Sequence, residues 1–199
     1  MNFCENRYDV IVIGAGHAGC EAALASARMG CTTLLVTIDM DKIAAMPCSP
    51  SIGGMAKGQL VKEIDGLGGW MARITDSSAI QYRTLNTRKG PAVHSTRTQN
   101  DKALYSRNMK AVLEKEPGLD LKQAMARDIL MENGRVRGIT DRTGFEYVAP
   151  ALVIATGTFL KGTVHIGDSK IQAGRAGEFA SVDLAKSLEG LGLEMGRMK

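Results

Sequence analysis

Residues 8–36 read YDVIVIGAGHAGCEAALASARMGCTTLLV. Tyr8–Ile13 is a short run rich in β-branched residues, the pattern of a parallel strand buried on both faces, and it runs directly into Gly14-Ala15-Gly16-His17-Ala18-Gly19. A helix is predicted from Ala15 to Met29, because the stretch is rich in alanine, free of proline and closed by Gly30. Thr33–Val36 then returns to a β-branched strand, which completes a strand, turn, helix and strand within about thirty residues. A lone G-x-G-x-x-G says little, but one that leaves a strand and opens a helix inside such a unit marks a dinucleotide site. Gly14 permits the tight turn, Gly16 lets the backbone approach a diphosphate, and Gly19 lets helix and strand pack closely. The unpaired N–H groups at the helix start then face the phosphate charge.

Eighteen residues after Gly19, where such units commonly carry Asp or Glu for a ribose hydroxyl, stands Thr37, with Asp39 the nearest acid. The sequence leaves open which of the two would reach a ribose. His17 and Glu21 fall near the same helix start. Glu21 reads equally as a first-turn acid favoured by the helix dipole and as a ligand.

Further along, Met46–Gly69 is interrupted by two prolines and six glycines, and only Met55–Leu67 has helical character. Loops so rich in glycine commonly lie close to a ligand or another backbone. A second helix is predicted over Asp101–Glu116, ended by Pro117. Four short alternating runs follow, Leu119–Gln123, Ala126–Glu132, Arg135–Asp141 and Glu146–Val148, with Asn133-Gly134 as a hairpin signal between two of them. All four read as one small antiparallel meander. Ala151–Ala155 is another buried strand, closed by Thr156-Gly157, and Val182–Leu191 is a last helix. The meander leading into a strand that ends Ala155-Thr156-Gly157 resembles the FAD domain of two-dinucleotide flavoproteins of the glutathione-reductase type. The expected fold is therefore α/β, a Rossmann-like FAD-binding domain with an antiparallel β-meander, and FAD is preferred to NAD as the cofactor.

Several separated motifs converge on one family: GAGHAGCEAA at 14–23, PCSPSIGGMAKGQLVKEIDGLGG at 47–69, LNTRKGPAVHSTRTQ at 85–99, IATGTFLKGTVHIG at 154–167 and GRAGE at 174–178. Together they resemble the N-terminal part of the GidA/MnmG family of tRNA uridine 5-carboxymethylaminomethyl modification enzymes, across nearly the whole chain. The resemblance implies modification of C5 of the wobble uridine in certain tRNAs together with an MnmE-type GTPase. It also implies 5,10-methylenetetrahydrofolate as one-carbon source, NADH as reductant for the flavin, and a homodimer. Position by position it implies FAD contacts at Gly14, Ala15, Gly16, His17, Ala18 and Gly19, at the backbone of Ala126 and at Ser181. Cys48, in the loop expected to approach the flavin, is a candidate nucleophile toward uridine or a proton-transfer group, with a small buried thiol as the plain alternative. Cys4, Cys20 and Cys31 read as packing or exposed thiols.

The family is much longer than 199 residues. Residues 1–199 thus read as the N-terminal segment of an FAD-binding domain incomplete at its C-terminus, with the family's NAD-binding insertion and helical C-terminal domain outside it. A flavin site assembled from both ends of a long chain would be incomplete here, so weak FAD binding and no tRNA modification by these residues alone are expected. Two other functions fit the same residues: a folate- and FAD-dependent tRNA uridine 5-methyltransferase, and a flavin- or tRNA-binding module without catalysis.

Charge and composition narrow the partners. Between Arg83 and Lys110 seven basic residues meet the single acid Asp101, leaving +6 locally and −2 for the rest of a chain whose net charge is +4. Arg88, Lys89 and Arg97 in this stretch are candidates for tRNA phosphate contact, without the aromatic interleaving that base stacking needs. His94 stands where the resembled family more often has Arg, and a neutral imidazole is a poorer anion ligand. The four cysteines lack CxxC or CxxH spacing, so no metal site is expected. No apolar run approaches the ~20 residues of a membrane span and the N-terminus carries no signal pattern, so a cytoplasmic protein is expected.

Overall fold

A computed structural model describes residues 7–175 and 177–198; Cys4 lies outside them. β1 (Val10–Ile13), α1 (His17–Arg28) and β2 (Thr33–Thr37) form the βαβ unit, with β1 and β2 parallel and Val10 opposite Thr33. Gly30, at φ +89°, ends the helix one residue beyond Met29. After a short 3-10 turn at Met40–Lys42 come β3 (Ser51–Gly53), α2 (Lys57–Gly66), α3 (Met71–Ser78), β4 (Ala79–Leu85) and β5 (Ser95–Asn100). These are followed by α4 (Lys102–Lys115), β6 (Leu119–Gln123), β7 (Ala126–Glu132), β8 (Arg135–Asp141), β9 (Glu146–Val148) and β10 (Ala151–Ile154). A hairpin of β11 (Thr163–Ile166) and β12 (Ser169–Gln172) and the helix α5 (Val182–Gly190) complete the fold.

The central sheet has the order β10-β1-β2-β6, every pairing parallel. Both of its faces are covered, and the period-two alternation of β1 and β2 shows how. Val12 and Leu35 point to one side, where they pack with Cys20, Ala23 and Leu24 of α1 and with Tyr105, Met109 and Leu113 of α4. Ile11, Ile13, Leu34 and Val36 point to the other, against Ala126, Ile139 and Tyr147 of the meander and Leu184 of α5. Burial on both faces is why these strands read as unbroken apolar runs.

One expectation is corrected. Leu119–Gln123 does not join the meander; as β6 it lies parallel to β2, Thr33 opposite Leu119 through Thr37 opposite Gln123. Parallel neighbours need a long crossover, which the segment ending in α4 supplies, and Leu119 and Leu121 belong to the core on the helix side. The alternation of LDLKQ suits an edge strand of either sheet, so pattern alone does not choose between them. The antiparallel meander is therefore β7-β8-β9 alone, turned at Asn133 (φ +52°) and Gly134 (φ +74°), both left-handed as a type I′ turn requires.

A third sheet, β3-β5-β4, is formed by the stretch of chain between the βαβ unit and α4, which also carries α2 and α3. Neither it nor the β11-β12 hairpin is anticipated by the sequence pattern: β4 is exposed along most of its length, and β5, STRTQN, has no apolar residue.

Candidate functional site

The turn after β1 is shaped by what its glycines exclude. A Cβ on Gly14 would stand 2.5 Å from the carbonyl oxygen of Ala155 at the end of β10, and Gly14 has φ +104°. A Cβ on Gly19 would overlap the carbonyl oxygen of Gly14. These two glycines therefore serve the packing of strand, turn and helix. Gly16 differs, since a Cβ there would meet nothing within 4 Å. It is exposed, it is the N-cap of α1, and among the described residues no side chain hydrogen-bonds the first-turn amides. An open approach to unpaired N–H groups at the positive end of a helix is the geometry an anion takes.

Gly14, Ala15 and Gly16 form one wall of a cleft of about 260 Å³. Thr37 and Asp39 at the end of β2, Ala126 at the start of β7, and Ser181 at the N-cap of α5 also line it. The topology explains the convergence: the C-terminal ends of β1, β2 and β10 and the start of the meander meet at the carboxyl edge of the parallel sheet, where open α/β sheets bind ligands. Thr37 Oγ1 donates to the carbonyl of Asp39 at 3.2 Å, and Asp39 Oδ1 accepts the N–H of Asp41 at 2.8 Å. Both side chains thus already have local partners, while Asp39 keeps a second carboxylate oxygen.

His17 faces a different space. It lines a cleft of about 750 Å³ together with Ser49, Ser51, Lys57, Met71 and Arg97. Its Nε2 is buried without a hydrogen-bond partner among the described residues. Burial, and secondarily the charge of Arg175, hold its imidazole below the usual 6.5, so the ring is kept toward its neutral form. The start of α1 stands between the two clefts, with Gly16 on one side and His17 on the other.

The remaining sequence-predicted residues divide. Ala18 is exposed and Gly19 is buried beneath the turn, and neither lines the small cleft. Cys48 is exposed, in contrast to the buried thiol offered as its plain reading, and its neighbour Ser49 lines the large cleft. Arg97 donates from Nη2 to Ser51 Oγ at 3.0 Å on the wall of that cleft. Arg88 and Lys89 stand exposed in the loop between β4 and β5 and line neither cleft; the Lys89 carbonyl lies 3.1 Å from His94 Nε2. Cys20 is fully buried, its thiol pushed up to about 12 by burial and by the neighbouring Glu21.

Glu21 is neither a first-turn acid of its own helix nor a cleft residue. Its carboxylate accepts the N–H groups of Trp70 and Met71 and so caps the start of α3. Lys42, Arg175 and Glu178 line the small cleft and were not singled out by sequence reading. The GRAGE motif at 174–178 carries two of them and was the available signal; nothing in the sequence points to Lys42.

The family model for glucose inhibited division protein A matches residues 9–199. The chain belongs to the glucose inhibited division protein A (GidA) family. Relatives named tRNA uridine 5-carboxymethylaminomethyl modification enzyme MnmG include those of Syntrophobacter fumaroxidans, 61% identical over 98% of this chain and 30% of the relative. That of Geobacter sulfurreducens is 54% identical over 98% and 31%. Among solved structures, Aquifex aeolicus GidA superposes with a TM-score of 0.91 at 47% identity, covering 96% of this chain and 32% of that one. The chain thus spans about a third of the length of these GidA and MnmG relatives. A flavin-dependent brominase, Bmp2, shares the fold alone, with a TM-score of 0.53 at 21% identity.

Proposed function

We propose that these residues form the FAD-binding part of a flavin-dependent enzyme that modifies C5 of the wobble uridine of tRNA in the cytoplasm. The observation that carries this is Gly16: an uncapped helix start, open to a cleft whose other walls are Ala126 and Ser181, in a chain 54–61% identical to proteins named MnmG.

The small cleft, at about 260 Å³, lies below the ~300–1,000 Å³ of sites that enclose a whole drug-sized ligand, so it suits one half of a dinucleotide. The residues fit that group. Gly14, Ala15 and Gly16 would hold the diphosphate through backbone N–H groups, with Ala126 and Ser181 beside the adenosine half and Thr37 or Asp39 toward the ribose. His17 offers an unpartnered buried nitrogen on the side of the larger cleft, where Ser49, Ser51, Lys57 and Arg97 supply hydrogen bonds and positive charge. FAD, when bound, supplies the two-electron chemistry; the chain's residues bind it, orient it and keep part of it from water.

In this reading the exposed thiol of Cys48 is the candidate nucleophile toward the pyrimidine, and the exposed Arg88 and Lys89, with Arg97, contact tRNA phosphates. An MnmE-type GTPase, 5,10-methylenetetrahydrofolate, NADH and a homodimer complete the proposed reaction. The test is direct titration of the chain with FAD and with tRNA. Saturable binding of both supports the proposal, and binding of neither by a folded chain overturns it.

A further inference from the structure

The basic residues of the 83–110 stretch separate in the fold. Arg83, Arg88, Lys89 and Arg97 belong to β4, β5 and the loop between them, whereas Lys102, Arg107 and Lys110 lie on α4. There they line a third cleft, of about 560 Å³, which Lys42 borders from the turn after β2. Lys110 is held by Asp41 at 3.3 Å and Arg175, at one end, by Glu178 at 3.7 Å. Lys42, Lys102 and Arg107 are exposed and have no ion pair among the described residues. The start of α4 does not supply the positive character, because Asp101 already accepts the N–H groups of Ala103 and Leu104. Whatever anion enters is met by side chains.

We infer that this cleft grips the phosphodiester backbone of an RNA strand, a reading that rests on the proposed tRNA substrate and adds to it a docking surface that adjoins the small dinucleotide cleft, with which it shares Lys42, Arg175 and Glu178, and that Lys102 and Arg107 line on the far side. Three uncompensated cations on two elements repel one another, and an anionic partner relieves that cost. From Lys102 to Lys110 the helix rises about 12 Å, more than one diphosphate spans and enough for successive phosphates of a strand. The remaining lining, which includes Ala45, Met46, Pro47, Ala103 and Ser106, contains no aromatic ring. Bases are therefore not stacked here, and the contact is to backbone, independent of sequence.

The test compares the chain with its Lys102→Gln/Arg107→Gln variant in tRNA binding measured by fluorescence anisotropy over a range of salt concentrations. Both side chains are exposed, and circular dichroism checks that the fold is retained. The expected result is binding weakened about tenfold near 0.1 M salt, and a slope of log affinity against log salt reduced by about 1.5, the share of two phosphate contacts. A charge-matched Arg135→Gln/Lys170→Gln variant outside the cleft is expected to bind as the unaltered chain does, and FAD affinity is expected to be the same in all three. Equal losses in both variants, or tRNA binding that neither changes, overturns the inference. Loss of FAD binding with intact tRNA binding assigns the cleft to the cofactor and overturns it as well. No tRNA binding by the unaltered chain overturns it together with the tRNA reading.

Discussion

Glu21 on α1 caps Met71 on α3: its Oε1 accepts the Met71 N–H at 2.5 Å and the Trp70 N–H at 2.9 Å. Glu21 lies one helical turn after His17, so the helix that opens at the dinucleotide turn also fixes the start of the helix whose Met71 lines the large cleft. Gly69 makes the approach possible, since a Cβ there would stand 2.7 Å from Glu21 Oε2. Charged hydrogen bonds to helix-start amides are worth about 1.5–3 kcal/mol where they are partly buried. Glu21→Ala is expected to lower unfolding stability by about 2 kcal/mol in urea titration, and Glu21→Gln, which keeps one acceptor oxygen, by roughly half as much.

The glycines of the turn are expected to separate fold from ligand. Gly19→Ala forces a methyl onto the Gly14 carbonyl and is expected to cost about 3 kcal/mol or more. Gly16→Ala meets no protein atom and is expected to melt as the unaltered chain does while losing FAD affinity by tenfold or more, about 1.4 kcal/mol. Equal thermal destabilisation by the two would contradict the division of roles.

Thiol accessibility follows burial. Cys20 is fully buried and its thiol lies near 12, whereas Cys48 is exposed. In the native chain, alkylation followed by peptide mass analysis is expected to modify Cys48 readily and to leave Cys20 untouched until denaturant is added.

His17 sets a direction for pH. Its folded-state value lies below the usual 6.5, so above 6.5 the ring is neutral in both folded and unfolded chains and adds no pH dependence. As pH falls through 6.5 the unfolded chain takes up the proton first, and stability declines until the lower folded value is passed. His17→Gln is expected to flatten this acid-side decline in melting temperature measured between pH 7.5 and 5. An unchanged slope would show that the imidazole does not titrate as described.

How much of this was legible follows from where the constraints are local. The βαβ unit was, because Gly14, Gly16 and Gly19 encode turn, approach and packing within six residues, and the apolar runs of β1 and β2 follow from burial on both faces. The Asn133-Gly134 hairpin was legible for the same reason. The pairing partner of Leu119–Gln123 was not, since a five-residue alternating strand takes its sheet from a crossover that only the tertiary fold defines. The β3-β5-β4 sheet was not, since its middle strand, STRTQN, has no apolar residue and β4 is exposed along most of its length. Glu21 was misread because its partners are 49 and 50 residues away, and no local pattern announces a cap delivered from another helix.

The central claim is that the open amides beside Gly16 hold the diphosphate of FAD. Titration of FAD into the purified 199-residue chain, followed by flavin fluorescence and repeated with Gly16→Ala, tests it most directly. The expected result is saturable one-to-one binding that the substitution weakens at least tenfold without changing the melting temperature. A folded chain that leaves FAD free, or that binds it equally with alanine at position 16, would contradict the account.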